Sequence, residues 1–576
     1  MKQSNGKFYE DEYELALLDL LVEQGWEYTY GGKIHRHNRD VLLLDDLTSY
    51  LNRRYPDLTA QDIEEISNKL RHVSGQTHFE TLRNTYYLIR DGFRYVRHDD
   101  GKTFDIDFID YDGSDNTYRV VNQFEVGYGL GDNIRIPDVI LFVNGMPLCI
   151  FELKNPADEN ATIADAYDQI HIRYLRDIPH LLRYCPLSCI SDATVNNTKI
   201  GTTYTPYEHY YAWKKVNNED PVATKGLDQV RTIVAGVYEP SRFIEIFRDY
   251  CYFPDKDFDK EQEIVCRYPQ FFATRMLREH VREVYARGDR KGGTYFGATG
   301  CGKTYTMMFL ARQLSLRCAE LGSPTIVMIV DRDDLQTQAG KLFLRSTEYL
   351  SLGAAQVIPN RTILKQELAA RDSGGFFICT IQKFCEEIGE LNTRRNIICF
   401  SDEAHRTQLG TGTTLKVRTR TDVDEPETDT QAIATTEKDE SKIGAFVTKP
   451  YAEHLRTAFP HATFVGFTGT PIDETIQVFG DIVDRYTMQQ AVDDEITKPL
   501  KYIPRIAQVT LDSTKVKEID EYYKKCADEG ATDADIAASK KAMSAMEVIL
   551  ADEERLERLA ADILSLIHIS EPTRPY

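Results

Sequence analysis

The chain has 576 residues, 42% of them hydrophobic, and a formal charge of −22 at pH 7. That length exceeds one core and predicts roughly three or four domains. The acidic balance excludes a general basic coat for nucleic acid, though not a local basic channel, because grip on DNA depends on the surface that faces it.

Helical spacing of apolar residues marks "DEYELALLDLLVEQGW" (Asp11–Trp26), which stops near Gly25. "RDVLLLDDLTSYLNRRYP" and "TAQDIEEISNKLRHV" read as further helices. Strand-like runs extend from "TFDIDFID" to "IPDVILFVNGMPLCIFELKNP" (Ile136–Pro156), and an amphipathic helix, "TIADAYDQIHIRYLRDIPHLLRY", follows and breaks near Pro179. Residues 1–240 are expected to form one α/β domain. From "EIVCRYPQFFATRML" onward, apolar strands alternate with helices: "GGTYFGATG", "TIVMIV", "GFFICTI", "NIICFSD" and "TFVGFTGT". Such alternation predicts a parallel sheet covered by helices, over residues 241–500. Within it, the acidic, aromatic-free stretch Thr421–Lys442 reads as a mobile surface insertion. Residues 501–563 read as a strand and a connector helix. No internal repeat is evident.

The run from Ile136 to Pro156 poses a chemical question. It reads as two apolar strands meeting at Asn144-Gly145, yet it carries Asp138, Glu152 and Lys154. Charges in apolar strands are costly unless paired or metal-bound. Glu152 and Lys154 are two apart and share a face. A two-residue Asn-Gly turn alone would put Asp138 on the other face. A three-residue loop, Val143–Gly145, restores the parity and sets Asp138 opposite Ile150, diagonal to Glu152; a bulge near Pro137 would do the same. A three-residue loop or a bulge is therefore expected. Two adjacent carboxylates call for a cation, and Mg²⁺ favours carboxylate oxygens plus water. Asp138 and Glu152 are the candidate ligands. Lys154 would position or activate a nucleophile or steady developing charge, which makes the trio a candidate phosphodiesterase site. An ordinary Glu/Lys surface strand is the plainer alternative.

"GATGCGKT" (Gly297–Thr304) fits G-x-x-x-x-G-K-[ST] between an apolar strand and a helical run. Backbone N–H groups of such a loop wrap phosphates, and the helix N-terminus adds its dipole. Gly297, Thr299, Gly300, Cys301, Gly302 and Lys303 are the candidate nucleotide-binding residues. Lys303 would reach the β- and γ-phosphates of ATP, and Thr304 would ligate Mg²⁺. Behind the strand "IICF", Asp402 and Glu403 stand where open parallel sheets place ligands. Asp402 would hold Mg²⁺ and Glu403 would polarise the attacking water.

These motifs carry a resemblance. "DEAH" resembles the acidic box of superfamily 2 helicases and translocases. Gln270 in "RYPQ" then stands where that superfamily's adenine-reading glutamine is expected. "VDRDDLQTQ" (Val330–Gln338), "TIQKF" (Thr380–Phe384) and "GFTGTP" (Gly466–Pro471) resemble motifs Ia, Ib and III, in the right order. The implied fold is a RecA-like P-loop domain. The stretch "NQFEVGYGLGDNIRIPDVILFVNGMPLCIFELKNP" closely resembles the nuclease core of type I restriction enzyme R subunits, a PD-(D/E)xK endonuclease fold. That resemblance implies Asp138, Glu152 and Lys154 as the catalytic set. The family's Q-x-x-x-Y element implies Gln169 and Tyr174, but here four residues separate them, so either one is misassigned or the helix bulges. Glu14 could add a carboxylate, although a solvated helix face suits its position better.

Family membership implies ATP and Mg²⁺ as cofactors, and double-stranded DNA, a specificity subunit and a modification (methyltransferase) subunit as partners. It implies ATP-driven DNA translocation with cleavage on stalling. A stand-alone repair helicase–nuclease and a non-enzymatic ATP-binding scaffold are the rival readings. The eleven cysteines form no C-x-x-C pair and sit largely in apolar runs, as buried reduced thiols of a cytoplasmic protein would. No signal peptide or membrane-spanning run is evident. "LSLIHISEPTR" (Leu564–Arg574) resembles the conceptual translation of a sequencing adaptor, so residues 564–576 are excluded from fold reasoning. The chain is thus read as an amino-terminal fragment. No second-lobe motor motif follows Leu500, so weak ATP hydrolysis is expected of the chain by itself.

Overall fold

The computed structural model describes residues 10–498, apart from 114, 155–161, 255–260, 331–340, 352, 354, 385–388, 405–413, 417–445 and 449–450, and four positions beyond 498. Met1–Lys498 form one compact unit and Pro499–Tyr576 a second. The stretch resembling motif Ia (save Val330), the acidic insertion, most of the connector and the 564–576 tail lie outside the described residues.

Helix α1 (Glu10–Glu23) ends before Trp26, because Gly25 turns through a left-handed φ of 105° and leads into strand β1 (Glu27–Tyr30). Helix α2 (Leu44–Arg54) starts later than its apolar run suggests. Leu43 N–H is already committed to Gly145 O at 2.9 Å, which holds the preceding residues extended. Helix α3 (Ala60–Arg71) opens on a Thr59/Asp62 capping box, in which each residue's side chain accepts the other's backbone N–H.

Five more strands and a short edge complete the first sheet: β2 (Tyr118–Asn122), β3 (Val139–Val143), β4 (Met146–Leu153), β5 (Leu187–Ser191), β6 (Thr198–Thr202) and β7 (Tyr211–Ala212). They lie side by side in chain order. The β1–β2 and β4–β5 pairs are parallel and the rest antiparallel. The run "TFDIDFID" does not join them. Its Thr103–Ile106 portion pairs instead with Phe93–Val96 as a separate ribbon. Every residue of β3 and β4 is buried, which explains their near-continuous apolar sequence.

The hairpin corrects one expectation. Its turn has two residues, because Val143 pairs with Met146. Asn144 and Gly145 both take positive φ, 50° and 79°, as a type I′ turn requires. Parity is restored by a bulge in β4, where Leu148 stands unpaired between Pro147 (opposite Phe142) and Cys149 (opposite Leu141). A bulge is therefore present, but beside the turn and not near Pro137. The turn is buried: Asn144 bridges Thr117 N, Phe108 O and Asn116 Oδ1 at 2.8–2.9 Å.

The amphipathic segment after β4 begins as α4 (Ile163–Asp168), widens into a π-helix over Gln169–Tyr174, and breaks at Ile178 before Pro179. Further on, α5 (Tyr268–Arg287) leads to the second sheet. Its strands are β8 (Lys291–Gly297), β9 (Thr325–Val330), β10 (Gln356–Val357), β11 (Phe376–Thr380), β12 (Ile397–Ser401), β13 (Thr463–Thr468) and β14 (Ile482–Tyr486). They run in the order β10-β11-β9-β12-β13-β8-β14 and every pair is parallel. Helix α6 (Lys303–Leu316) follows β8 directly.

One hydrophobic core runs from Tyr13 to Ala491, through both sheets, and a second lies on the other side of the parallel sheet. Residues 243–253 join the two halves. Phe243 packs edge-on to Trp26, while Tyr250 packs on Phe271 and Phe309. Asp249, fully buried, meets Arg248, Arg312 and Arg317 at 2.7–3.3 Å. Burial opposes its charge, but hydrogen bonding to Arg317 and the surrounding guanidinium charges prevail and hold the carboxyl below its usual range. The cysteines among the described residues are all free and buried.

Candidate active sites

The register Ile140↔Ile150 and Val139↔Phe151, continued one step, sets Asp138 directly across from Glu152, not diagonal to it. Asp138 Oδ2 accepts the Leu153 N–H at 2.6 Å. Glu152 is 0% exposed. A carboxylate there needs compensation. Lys154 Nζ lies 2.8 Å from Glu152 Oε1, and the Tyr174 hydroxyl donates to Glu152 Oε2 at 3.0 Å. Lys154 Nζ also donates to Leu153 O at 3.0 Å and to Gln169 Oε1 at 3.3 Å. Gln169 Nε2 in turn donates to the Tyr174 hydroxyl at 2.8 Å. The five candidate residues thus form one cluster.

The spacing that departs from the family's Q-x-x-x-Y is explained by the π-helix. In an α-helix, five residues turn through about 500°, which leaves Gln169 and Tyr174 on different sides. Here Leu175 N–H reaches back five residues to Ile170 O. The wider turn absorbs one extra residue and brings both side chains onto Glu152 and Lys154. Burial, then the charge of Glu152, and further that of Asp138, push the Tyr174 hydroxyl well above its ordinary value. It therefore stays protonated and donates.

Glu14 is not solvated. It is 7% exposed and accepts from Asn122 Nδ2 at 2.6 Å, while Asn122 Oδ1 accepts from the Tyr28 hydroxyl at 3.0 Å. Sequence reasoning missed Asn122 as its partner. The two lie 108 residues apart, and only the pairing of β2 with β3 beside α1 brings them together.

Whether a cation suits this first cluster can be judged from its donors. The Lys154 ammonium already gathers three oxygens, on Glu152, Leu153 and Gln169. Among the described residues, no group of three or more His, Cys, Asp or Glu side chains could cage a metal. A cation here would take the two carboxylates and water, which is an oxygen ligand set that suits Mg²⁺ rather than Zn²⁺.

The second cluster lies at the carboxyl ends of the parallel strands. Gly300 and Gly302 take left-handed φ of 83° and 86° in the loop between β8 and α6. A Cβ on Gly302 would lie 2.4 Å from Gln270 Nε2. Gln270 is buried on the first turn of α5, with Oε1 accepting the Arg267 N–H at 3.0 Å and Nε2 donating to Cys301 O at 3.3 Å. Lys303 Nζ lies 3.3 Å from Gly297 O and 3.7 Å from Glu403 Oε1. Glu403 takes a φ of 47°, uncommon for a non-glycine residue and a mark of functional sites. Its N–H donates to Asp402 Oδ1 at 3.0 Å. Gly469, in the motif III stretch, packs on the loop, with a Cβ position 3.2 Å from Thr299 Oγ1. Thr304 begins α6 beside Lys303. All the predicted nucleotide residues are therefore brought to one strand-end cluster.

Two family models match the chain. Residues 7–209 match the type I restriction enzyme R protein N terminus, and residues 269–536 match the SWI2/SNF2 ATPase. Along most of its length the chain resembles type I restriction enzyme R proteins. It is 31% identical to the HindI endonuclease subunit of Haemophilus influenzae, over 96% of this chain and 51% of that one. It is 26% identical to a Methanocaldococcus jannaschii protein named for a candidate type I enzyme, MjaIXP, over 98% and 52%. The chain spans about half the length of those curated relatives. A solved structure titled as an ATP-dependent type ISP restriction-modification enzyme, LlaBIII, bound to DNA is 13% identical with a TM-score of 0.25, covering 75% of this chain and 25% of that one. A likeness that low carries no weight for the fold. Among the described residues, no helix is long and apolar enough to cross a membrane.

Proposed function

We propose that this chain supplies the nuclease and the first motor lobe of a type I restriction subunit, coupling ATP-driven movement on duplex DNA to Mg²⁺-dependent endonucleolytic cleavage. The observation that carries this reading is the Asp138–Glu152–Lys154 cluster, locked by Gln169 and Tyr174, in the same compact unit as a P-loop whose Lys303 faces Glu403. Asp138 and Glu152 would hold Mg²⁺, which supplies acidified water and charge stabilisation at a phosphodiester. Lys154, held beside Glu152, orients the attacking water or meets the charge that grows on the phosphate. Tyr174 and Gln169 fix the Glu152 and Lys154 side chains before substrate arrives, so little reorganisation remains.

In the motor lobe, Lys303 would bind the outer phosphates of ATP, Thr304 and Asp402 the accompanying Mg²⁺, Gln270 the adenine, and Glu403 the attacking water. Specificity and methyltransferase subunits would select the DNA site, and the setting is the cytoplasm. The test is plasmid nicking with Mg²⁺ by the full chain. Asp138→Asn keeps an acceptor for Leu153 N–H but loses the charge, and a fall of roughly 10²–10³ is expected, as for removal of one preorganised charge-stabilising contact. Unchanged nicking would sink the nuclease reading.

A further inference from the structure

Outside both clusters, the R-protein half carries a cleft of about 150 Å³ lined by Arg39, Arg71, His180 and Arg183, with Asp40 the one acid on its wall and Leu42 among its apolar residues. Three arginines around one cleft stand out on a chain of charge −22. Asp40 does not neutralise them: its contact with Arg71 is 3.7 Å long between half-exposed side chains. Arg39 and Arg183 each spend one N–H group on a backbone carbonyl, of Gly129 and Val73 respectively, which fixes the guanidinium groups in place. Burial, then the charges of Arg39 and Arg183, lower the basicity of the His180 imidazole, so the cleft is positive even with His180 neutral.

The cleft is tied to the nuclease cluster by two routes. Tyr174 touches Glu152, and nine residues later along the same broken helical segment Arg183 reaches the cleft. The second route is the ribbon Val126–Gly127/Ile134–Arg135, whose tip touches Arg39 through Gly129 O and whose end leads through Ile136 to Asp138. At its tip, Gly129 and Gly131 take left-handed φ of 63° and 99°, and the Leu130 between them is 97% exposed. Ile134 and Ile136 are also exposed on the way to Asp138.

Resting on the nuclease reading above, we propose that the Arg39/Arg71/His180/Arg183 cleft binds a backbone phosphate of duplex DNA to one side of the bond that is cut, with Leu130 seated against the groove between them. Fixed guanidinium groups suit a phosphate through several N–H donors at once. The apolar tip suits the sugar edges and base steps of a groove. A protein partner would not be expected to read a salt-dependent phosphate term.

The experiment is equilibrium binding of a labelled blunt duplex of arbitrary sequence to the full chain, without ATP, across a salt series. An Arg39→Gln/Arg71→Gln variant is expected to bind more weakly whatever the duplex sequence, with the slope of log K against log salt reduced by about 1. Arg39→Lys/Arg71→Lys should restore the slope, which a misfolded protein would not do. An unchanged slope in the glutamine variant overturns the proposal, and so does a loss that lysine does not rescue. The nuclease reading is scored separately by Asp138→Asn, which should bind DNA with the parent slope while failing to nick it.

Discussion

At the residue scale, Glu152 sets the terms for the nuclease cluster. A fully buried carboxylate is tolerable only with partners, and both of its oxygens have them. Tyr174→Phe removes one. Losing that hydrogen bond to a charged acceptor costs roughly 1.5–3 kcal/mol and loosens the carboxylate. Nicking should fall while DNA binding is retained, and a variant that cuts as fast as the parent would remove Tyr174 from the positioning set. His171 offers a second handle. Burial pushes its imidazole down to about 4, against hydrogen bonds to the Tyr167 and Thr202 backbones and the charge of Asp168, and its ring stacks on Tyr167 at 3.8 Å. The unfolded chain takes up a proton near pH 6.5 and the folded one only near 4. The folded state is therefore favoured above pH 6.5, and that advantage is lost as pH falls through this window, by up to roughly 3 kcal/mol. Melting curves from pH 7 to 4.5 should show a slope that His171→Gln flattens.

At the element scale, two one-residue irregularities carry the site. Leu148 bulges out of β4, and the π-helix absorbs one residue between Gln169 and Tyr174. Deleting Ile172, an exposed residue of the π segment, should let it relax toward α geometry with the glutamine and tyrosine four positions apart, which keeps both on the face toward Glu152 and Lys154. Cleavage should be retained; its loss with the circular dichroism spectrum unchanged would show that the π turn does more than absorb the extra residue. These irregularities also mark how far the sequence could be read. Asp138, Glu152 and Lys154 were legible from residue type and spacing, and the parity conflict at Asn144-Gly145 announced that something must compensate. Its position did not, because Leu148 is one apolar residue among many and any of them could have been the unpaired one. The four-residue gap between Gln169 and Tyr174 likewise signalled a helix defect. The burial of Glu14 was illegible, since its partner Asn122 comes from a distant strand. In the P-loop half, the phosphate loop, Asp402–Glu403 and Gly469 each directly follow a strand of the parallel sheet, which collects such ends on one edge.

At the scale of the whole molecule, the unbroken core predicts how the protein comes apart. Both sheets should unfold in a single transition when followed by tryptophan fluorescence and by circular dichroism; two separated transitions would refute a shared core. Asp249→Asn should weaken both together. It leaves the buried Arg312 without its counter-charge, at a cost of roughly 3–5 kcal/mol, visible as a lower denaturant midpoint. The fold also restricts the exchange of parts. A break at position 240, where the sequence pattern changes, would strand residues 243–253, which press Phe243 and Phe247 toward the first sheet and Tyr250 and Tyr252 toward the second. Recombination between relatives at that point would give chimeras with mismatched aromatic faces on both sides. Viable crossovers would have to carry the whole 243–253 strip with matched surroundings, so the two sheets and the clusters they carry should be inherited as a pair.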